Sequence, residues 1–218
     1  MEKKNIDAAI LELMASRICH DLISPVGAVN NGVEFLQEDL GSGDAADAIG
    51  LIAMSAQSAG ARLQAFRLAY GAGGRDGGIK PADVYKTFEN LASTDGKITQ
   101  DWNADEVFAG MSPPEGFCKL LMGTLMMTQE ALPKGGMIRV AYDPSGATTV
   151  TGISPDALIR PQVDEALKSM LAVSDIDPRL VHPYIVGVLA SQYNHMVTIG
   201  FPVPGQVSFE IKPLLKIA

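Results

Sequence analysis

Residues 16–36 read SRICHDLISPVGAVNNGVEFL. Within this run Ile18, Leu22, Val26, Val29, Val33 and Leu36 recur at steps of three and four, the spacing that lines one stripe of an α-helix. Leu11 and Ala15 extend the stripe towards the N-terminus and Leu40 towards the C-terminus, which predicts one long helix with a buried seam. Pro25 falls inside it. There it removes the N–H that would bond the carbonyl of Asp21, a defect that costs about 3 kcal/mol in a helix interior. A histidine, His20, stands one turn before the proline, and such a cost is easier to explain at a working site.

After a short turn at Gly41, Ser42 and Gly43, Asp44 can cap a second helix whose seam is Ile49, Ile52, Ala56, Ala59, Leu63, Phe66 and Tyr70. Two helices joined by so short a turn lie antiparallel, and a lone hairpin cannot cover both apolar seams from water. Two sources of cover are open. A second copy of the chain would complete a two-fold symmetric four-helix bundle, with Ala56 and Ala59 allowing close approach, or the remainder of the chain would fold back over the seam.

Glycines crowd between Tyr70 and Gly78, and the rhythm changes there, so the boundary is placed in that stretch. Residues 1–74 form the helical hairpin and 79–218 a second domain. The second domain alternates: helix 82–92, a strand near 97–102, helix 114–132, strands 137–142 and 148–153, a helix from Pro161 through residue 171, helix 178–193, and closing strands 196–201 and 207–212. Helices interleaved with strands and ending in a hairpin predict an α+β sandwich with helices on one sheet face.

Bulk properties narrow the class. The 218 residues are 47% hydrophobic, enough to bury a substantial core. No apolar run approaches the about 20 residues that cross a bilayer, and the N-terminus has no signal-peptide core, so a cytoplasmic protein without membrane contact is expected. With 25 acidic against 17 basic residues and no lysine or arginine cluster, nothing suggests a nucleic-acid surface and proteins are the expected partners. Cys19 and Cys118 stand alone in predicted helices, which argues against a disulfide framework or a zinc site.

At about 100° per residue, His20 lies about 200° from both Ile18 and Leu22 and therefore faces solvent. Arg17, Ser24, Gly27, Ala28 and Asn31 stack on the same face, and the small ones let a partner approach closely. A neutral imidazole has one nitrogen free to attack, and a carboxylate beside the other nitrogen would hold the tautomer and stabilise the cation formed on phosphorylation. Asp21 is the candidate. Adjacent helix positions diverge, so spacing alone does not establish contact, and an exposed histidine beside an acid is also at home as a plain solvated pair.

The run His20-Asp21-Leu22-Ile23-Ser24-Pro25-Val26 resembles the phosphoacceptor box of histidine kinases, which sits on the first helix of a dimeric hairpin. The second domain resembles, more faintly, the ATP-binding domain of those kinases: LLMGTLMMTQEALPKGGMIRV follows its asparagine-bearing helix, and PYIVGVLASQYN with GQVSFEIKP its last helix and closing hairpin. The departures are specific. Gly123 and Met127 stand where the magnesium-binding asparagines would be. Ile153-Ser154-Pro155 replaces the Asp-x-Gly-x-Gly adenine box, and DIDPRLVHPY has no glycine-rich phosphate cradle. A chain that keeps the nucleophile and lacks the nucleotide boxes resembles the ChpT-type bacterial histidine phosphotransferases along its whole length.

That resemblance implies a phosphorelay. His20 would accept a phosphoryl group from the receiver aspartate of a hybrid histidine kinase and pass it to the receiver aspartate of a response regulator, without ATP, in the service of cell-cycle control. Asp21 would act as base or ring orienter and Ser24 as neighbour of the phosphoryl group. Arg17, Gly27, Asn30 and Asn31 would belong to the docking surface, together with Gly32. No cofactor is expected, the magnesium ion belonging to the receiver partner, and the chain would work as a homodimer. The competing readings are a dimeric scaffold that only holds receivers and an ATP-dependent histidine kinase with a degenerate site. His182, near a helix start, and His195, at a helix-to-strand turn, read as structural. The methionines of residues 119–132 read as core, as do Trp102, Val107 and Phe108.

Overall fold

The computed structural model describes residues 7–38, 45–71, 78–108, 112–143 and 145–214. Helix α1 spans Ala8–Glu38 and α2 spans Ala45–Tyr70. Asp7 starts α1 by accepting the Ala9 N–H at 2.9 Å, which satisfies one of the free amides of its first turn. The two helices run antiparallel at close range: a Cβ on Gly32 would lie 2.5 Å from Ile52 Cγ1. The turn at 41–43, the Asp44 cap, Leu40 and residues 72–77 of the boundary lie outside the described residues.

Helices α3 (Pro81–Ser93), α4 (Phe117–Glu130), α5 (Val163–Leu167) and α6 (Val181–Gln192) accompany strands β1 (Ile98–Gln100), β2 (Gly136–Tyr142), β3 (Thr148–Ile153), β4 (His195–Ile199) and β5 (Gln206–Pro213). The sheet order is β1-β2-β3-β5-β4. β1 pairs parallel with β2 and the other pairings are antiparallel. Alternation does its work in β3 and β5. Val150 pairs with Phe209 and Thr148 with Ile211, and these four are buried while their neighbours are partly exposed. The buried face receives α4, whose residues Phe117 to Thr128 are all buried. This is the helical hairpin followed by a helix-covered mixed sheet that the sequence predicts.

Element ends differ from expectation where proline intervenes. The helix expected from Pro161 holds only over α5, and α6 begins at Val181 rather than Pro178. Residues preceding proline resist the helical region, and Asp177 forms a local turn instead, its carboxylate accepting the Arg179 and Leu180 N–H groups. Val107 and Phe108 are buried as expected, while Trp102 is partly buried and donates its indole N–H to Gln100 at 2.7 Å.

The seam of the hairpin needs correction. Leu11, Ala15, Val26 and Val33 of α1 and Ile49, Ala56 and Leu63 of α2 are exposed. The buried positions are Ile10, Met14 and Gly32 on α1 and Ala48, Ser55, Ala61, Ala65, Phe66, Leu68 and Ala69 on α2. One cause is that the second half of the chain packs on one end of the hairpin. Ile10 and Met14 join the same core as Phe66, Val84, Leu121 and Val186, and α2 lies against α3 and α4. Partial cover by the chain itself, one of the two possibilities left open, is therefore realised at that end. The other end keeps Ile23, Val26 and Met54 in solvent.

Candidate functional site

The His20 side chain is 88% exposed, as its angular position on α1 predicts. Its Nδ1 stands 3.2 Å from Asp21 Oδ1. A carboxylate only accepts, so Nδ1 is the donor in this contact, and in the neutral ring the lone pair lies on Nε2. The contact that helical spacing left open is thus made between neighbours in sequence, and on the very turn where Pro25 withholds the amide from the Asp21 carbonyl.

His20 stands in an open groove of about 530 Å³. From α1 it is walled by Asp21, Ser24, Pro25 and Ala28, and from α2 by Met54, Ser55, Ser58 and Arg62. The third wall, Thr94 and Asp95, comes from the chain just after α3. Arg62 faces Asp95 across 3.9 Å, too long for a hydrogen bond. Sequence reasoning found His20, Asp21 and Ser24 but not this second and third wall. A signal was present in α2: Ser55, Ser58 and Arg62 recur at steps of three and four, which sets them on one polar stripe of the helix. Nothing local in the sequence marks Thr94 and Asp95, which arrive by tertiary packing.

The expected docking residues separate. Gly27 is half-buried on α1 and Asn30 and Asn31 are exposed, with Asn31 and Gly32 lining a different, apolar hollow nearer the hairpin turn. Arg17 departs from expectation. Its guanidinium pairs with Glu130 at the end of α4 and donates to the Pro178 carbonyl at 3.1 Å, leaving its side chain only 15% exposed. It is engaged inside the molecule and is not presented to a partner. The carboxylate bond explains the choice, since a charged bidentate donor gains more from a fixed partner than from water.

Glu130 has a second partner that the sequence did not reveal. His182, wholly buried at the start of α6, donates from Nδ1 to the same carboxylate at 3.0 Å. The Tyr70 ring meets the His182 ring edge-on at 5.7 Å, and burial drives the Tyr70 phenol well above its ordinary range. Burial works to raise the Glu130 pKa, but the His182 bond and the charges of Arg17 and Arg160 outweigh it and hold the carboxyl below its usual range. Residues from α1, α2, α4 and α6 are thereby tied at one point. His195 donates from Nδ1 to the Tyr193 carbonyl, 2.7 Å away at a turn, since a carbonyl can only accept. Cys118 is buried, and that burial pushes its thiol up to about 12.

Among the described residues no group of three or more His, Cys, Asp or Glu side chains is placed to hold a metal ion. No helix of those residues is long and apolar enough to cross a membrane.

Comparison with known proteins places the chain in a family. Residues 81–201 match the family model for the histidine phosphotransferase C-terminal domain. The protein phosphotransferase ChpT of Brucella abortus (strain 2308) is 35% identical over 193 residues, covering 86% of this chain and 88% of that protein. A solved structure of a bacterial phosphotransferase aligns with a TM-score of 0.76 at 28% identity, over 97% of this chain and all of the other. A model covering the α+β half, a relative covering both halves and a fold shared end to end lead to one conclusion: the chain belongs to the ChpT-type bacterial histidine phosphotransferases.

Proposed function

We propose that this phosphotransferase is a relay between receiver domains, with His20 as the residue that carries the phosphoryl group. The observation that carries the reading is the pairing of an exposed Nε2 with an Nδ1 fixed on Asp21. Nε2 attacks the phosphorus of an acyl phosphate on a hybrid kinase's receiver aspartate; the N–P bond forms as the O–P bond breaks, and the electron pair leaves with the aspartate carboxylate. The ring becomes a cation whose Nδ1 proton stays on the hydrogen bond to Asp21, which stabilises it. The same steps in reverse, onto the aspartate of a response regulator, release the group. Magnesium is the receiver's ion, held by the partner beside its own aspartate.

Transfer without ATP is the second part of the reading. Its support lies in α4, where a Cβ at Gly123 would already stand 2.8 Å from Val186 Cγ2 of α6, so a larger side chain there would have to displace Val186. The cavity beside Met127, Ala131, Leu158 and Pro183 is about 30 Å³, against the several hundred that a nucleotide-sized ligand occupies. The test supplies labelled ATP alone, and separately a labelled phospho-receiver from a hybrid kinase. Acid-labile label from the receiver only is the expected result. Label from ATP alone would make the protein a kinase, and label from neither would favour a scaffold.

Asp21→Asn keeps a side chain of the same size but withdraws the charge that offsets the imidazolium. Transfer to the protein is expected to slow by about a hundredfold, in the range of a positioned acid–base partner, with rapid-quench measurement of the phospho-receiver's decay as the check. An unchanged rate would leave Asp21 a solvated neighbour.

A second copy of the chain is the proposed cover for the apolar end of the hairpin, where Ile23, Val26, Val33, Ile49, Met54 and Leu63 are exposed. Light scattering at micromolar concentration is expected to return twice the 23.1 kDa of one chain. A single-chain mass would remove the four-helix bundle.

A further inference from the structure

We propose that Arg62 is the phosphoryl-binding residue of the His20 groove, its guanidinium receiving the oxyanions of phospho-His20. This rests on His20 as the carrier and adds the group that meets its cargo. A phosphoryl group brings between one and a half and two negative charges into a groove already walled by Asp21 and Asp95. Among the residues lining the groove, Arg62 is the one lysine or arginine, and it also borders Asp21 and Asp95 in the adjoining cleft. Its donors are not satisfied within the fold. Nε is shut off from solvent with no hydrogen-bond partner, and the Asp95 carboxylate stays at 3.9 Å, an ion pair without a hydrogen bond. The Arg62 side chain is 29% exposed, so it is the terminal nitrogens, which make no hydrogen bond across the 3.9 Å to Asp95, that can meet an acceptor in the groove. The neighbouring cation, Arg17, has an unpartnered Nε as well, but its terminal nitrogens are already engaged by Glu130 and the Pro178 carbonyl. Hydroxyls of Ser24, Ser55, Ser58 and Thr94 line the same groove and supply neutral donors around the charge.

The probe is phosphoramidate, a small phosphodonor that needs no receiver, acting on the full-length protein. Phosphorus NMR then follows the pH titration of the phosphoryl signal on His20. A cation against the oxyanions holds the dianion and lowers the midpoint; a residue that merely supports the fold does not move it. Arg62→Gln is expected to raise the midpoint by about one pH unit, a tenfold change in acidity, and Arg62→Lys to restore most of it. Asp95→Asn, which removes the competing carboxylate, is expected to lower it. Equal midpoints in the parent protein and Arg62→Gln, with the group on His20, would overturn the role of Arg62 and leave His20 as carrier intact. Should Arg62→Gln fail to fold, an unmoved midpoint in Asp95→Asn overturns it equally. No phosphoryl group on His20 in the parent protein would sink the parent reading, and this inference with it.

Discussion

His20→Ala is expected to abolish phosphoryl uptake from a phospho-receiver while leaving thermal stability within about 0.5 kcal/mol of the parent. The two halves of that expectation come from the same fact. A side chain that is 88% exposed contributes little packing, so its loss leaves no cavity, and the helix gains a residue of higher helical propensity. The chemistry has no understudy: His182 and His195 are both buried, one tied to Glu130 and the other to a backbone carbonyl. Residual acid-labile label in the variant would place the carrier elsewhere, and a large drop in melting temperature would show that the imidazole is structural.

Glu130→Ala is expected to be the most damaging single change to the fold outside the central core, at about 2 kcal/mol. It strands the Nδ1 of a wholly buried histidine whose Nε2 already lacks a partner and leaves Arg17 with one carbonyl. Losing one member of a fully buried charged pair costs more, about 3–5 kcal/mol; the smaller figure follows because a third of the Glu130 side chain reaches water. Since α1 is held to the second half partly through this carboxylate, chemical denaturation should detect the loss directly as a lower midpoint. The sign with pH follows from the lowered pKa of Glu130. Its contribution is present above the ordinary carboxylate pKa of about 4.3 and fades as pH falls through the folded value. The parent protein should therefore lose stability more steeply than Glu130→Ala as the solution is acidified below pH ~4. Parallel stability curves for the two proteins would contradict this.

How far the molecule was legible depended on whether the information was periodic. The solvent-facing position of His20 follows from its angle to Ile18 and Leu22, and the strands 137–142 and 148–153 follow from alternation, so the hairpin and the sheet were readable. The seam was not, because α1 and α2 carry more apolar residues than one stripe holds, and periodicity cannot say whether Ile10 or Leu11 meets the second half of the chain. Arg17 was misjudged for a related reason. It lies one turn before His20 in sequence, but the direction of its long side chain is settled by Glu130, more than a hundred residues later. Arg62 and Asp95 are likewise joined only by packing. Each of them is unremarkable in its own segment, and they become part of a site when α2 and the end of α3 close on α1.

The proposed relay requires that the phosphoryl group sit on one atom of one residue. The most direct measurement is to expose the full-length protein to a phospho-receiver, locate the group by fragment mass spectrometry, and identify the nitrogen by long-range proton–nitrogen correlation. The expected result is a single phosphoryl group on His20, bonded at Nε2, with Nδ1 still protonated towards Asp21. A group on any other residue, or on Nδ1 of His20, would contradict it.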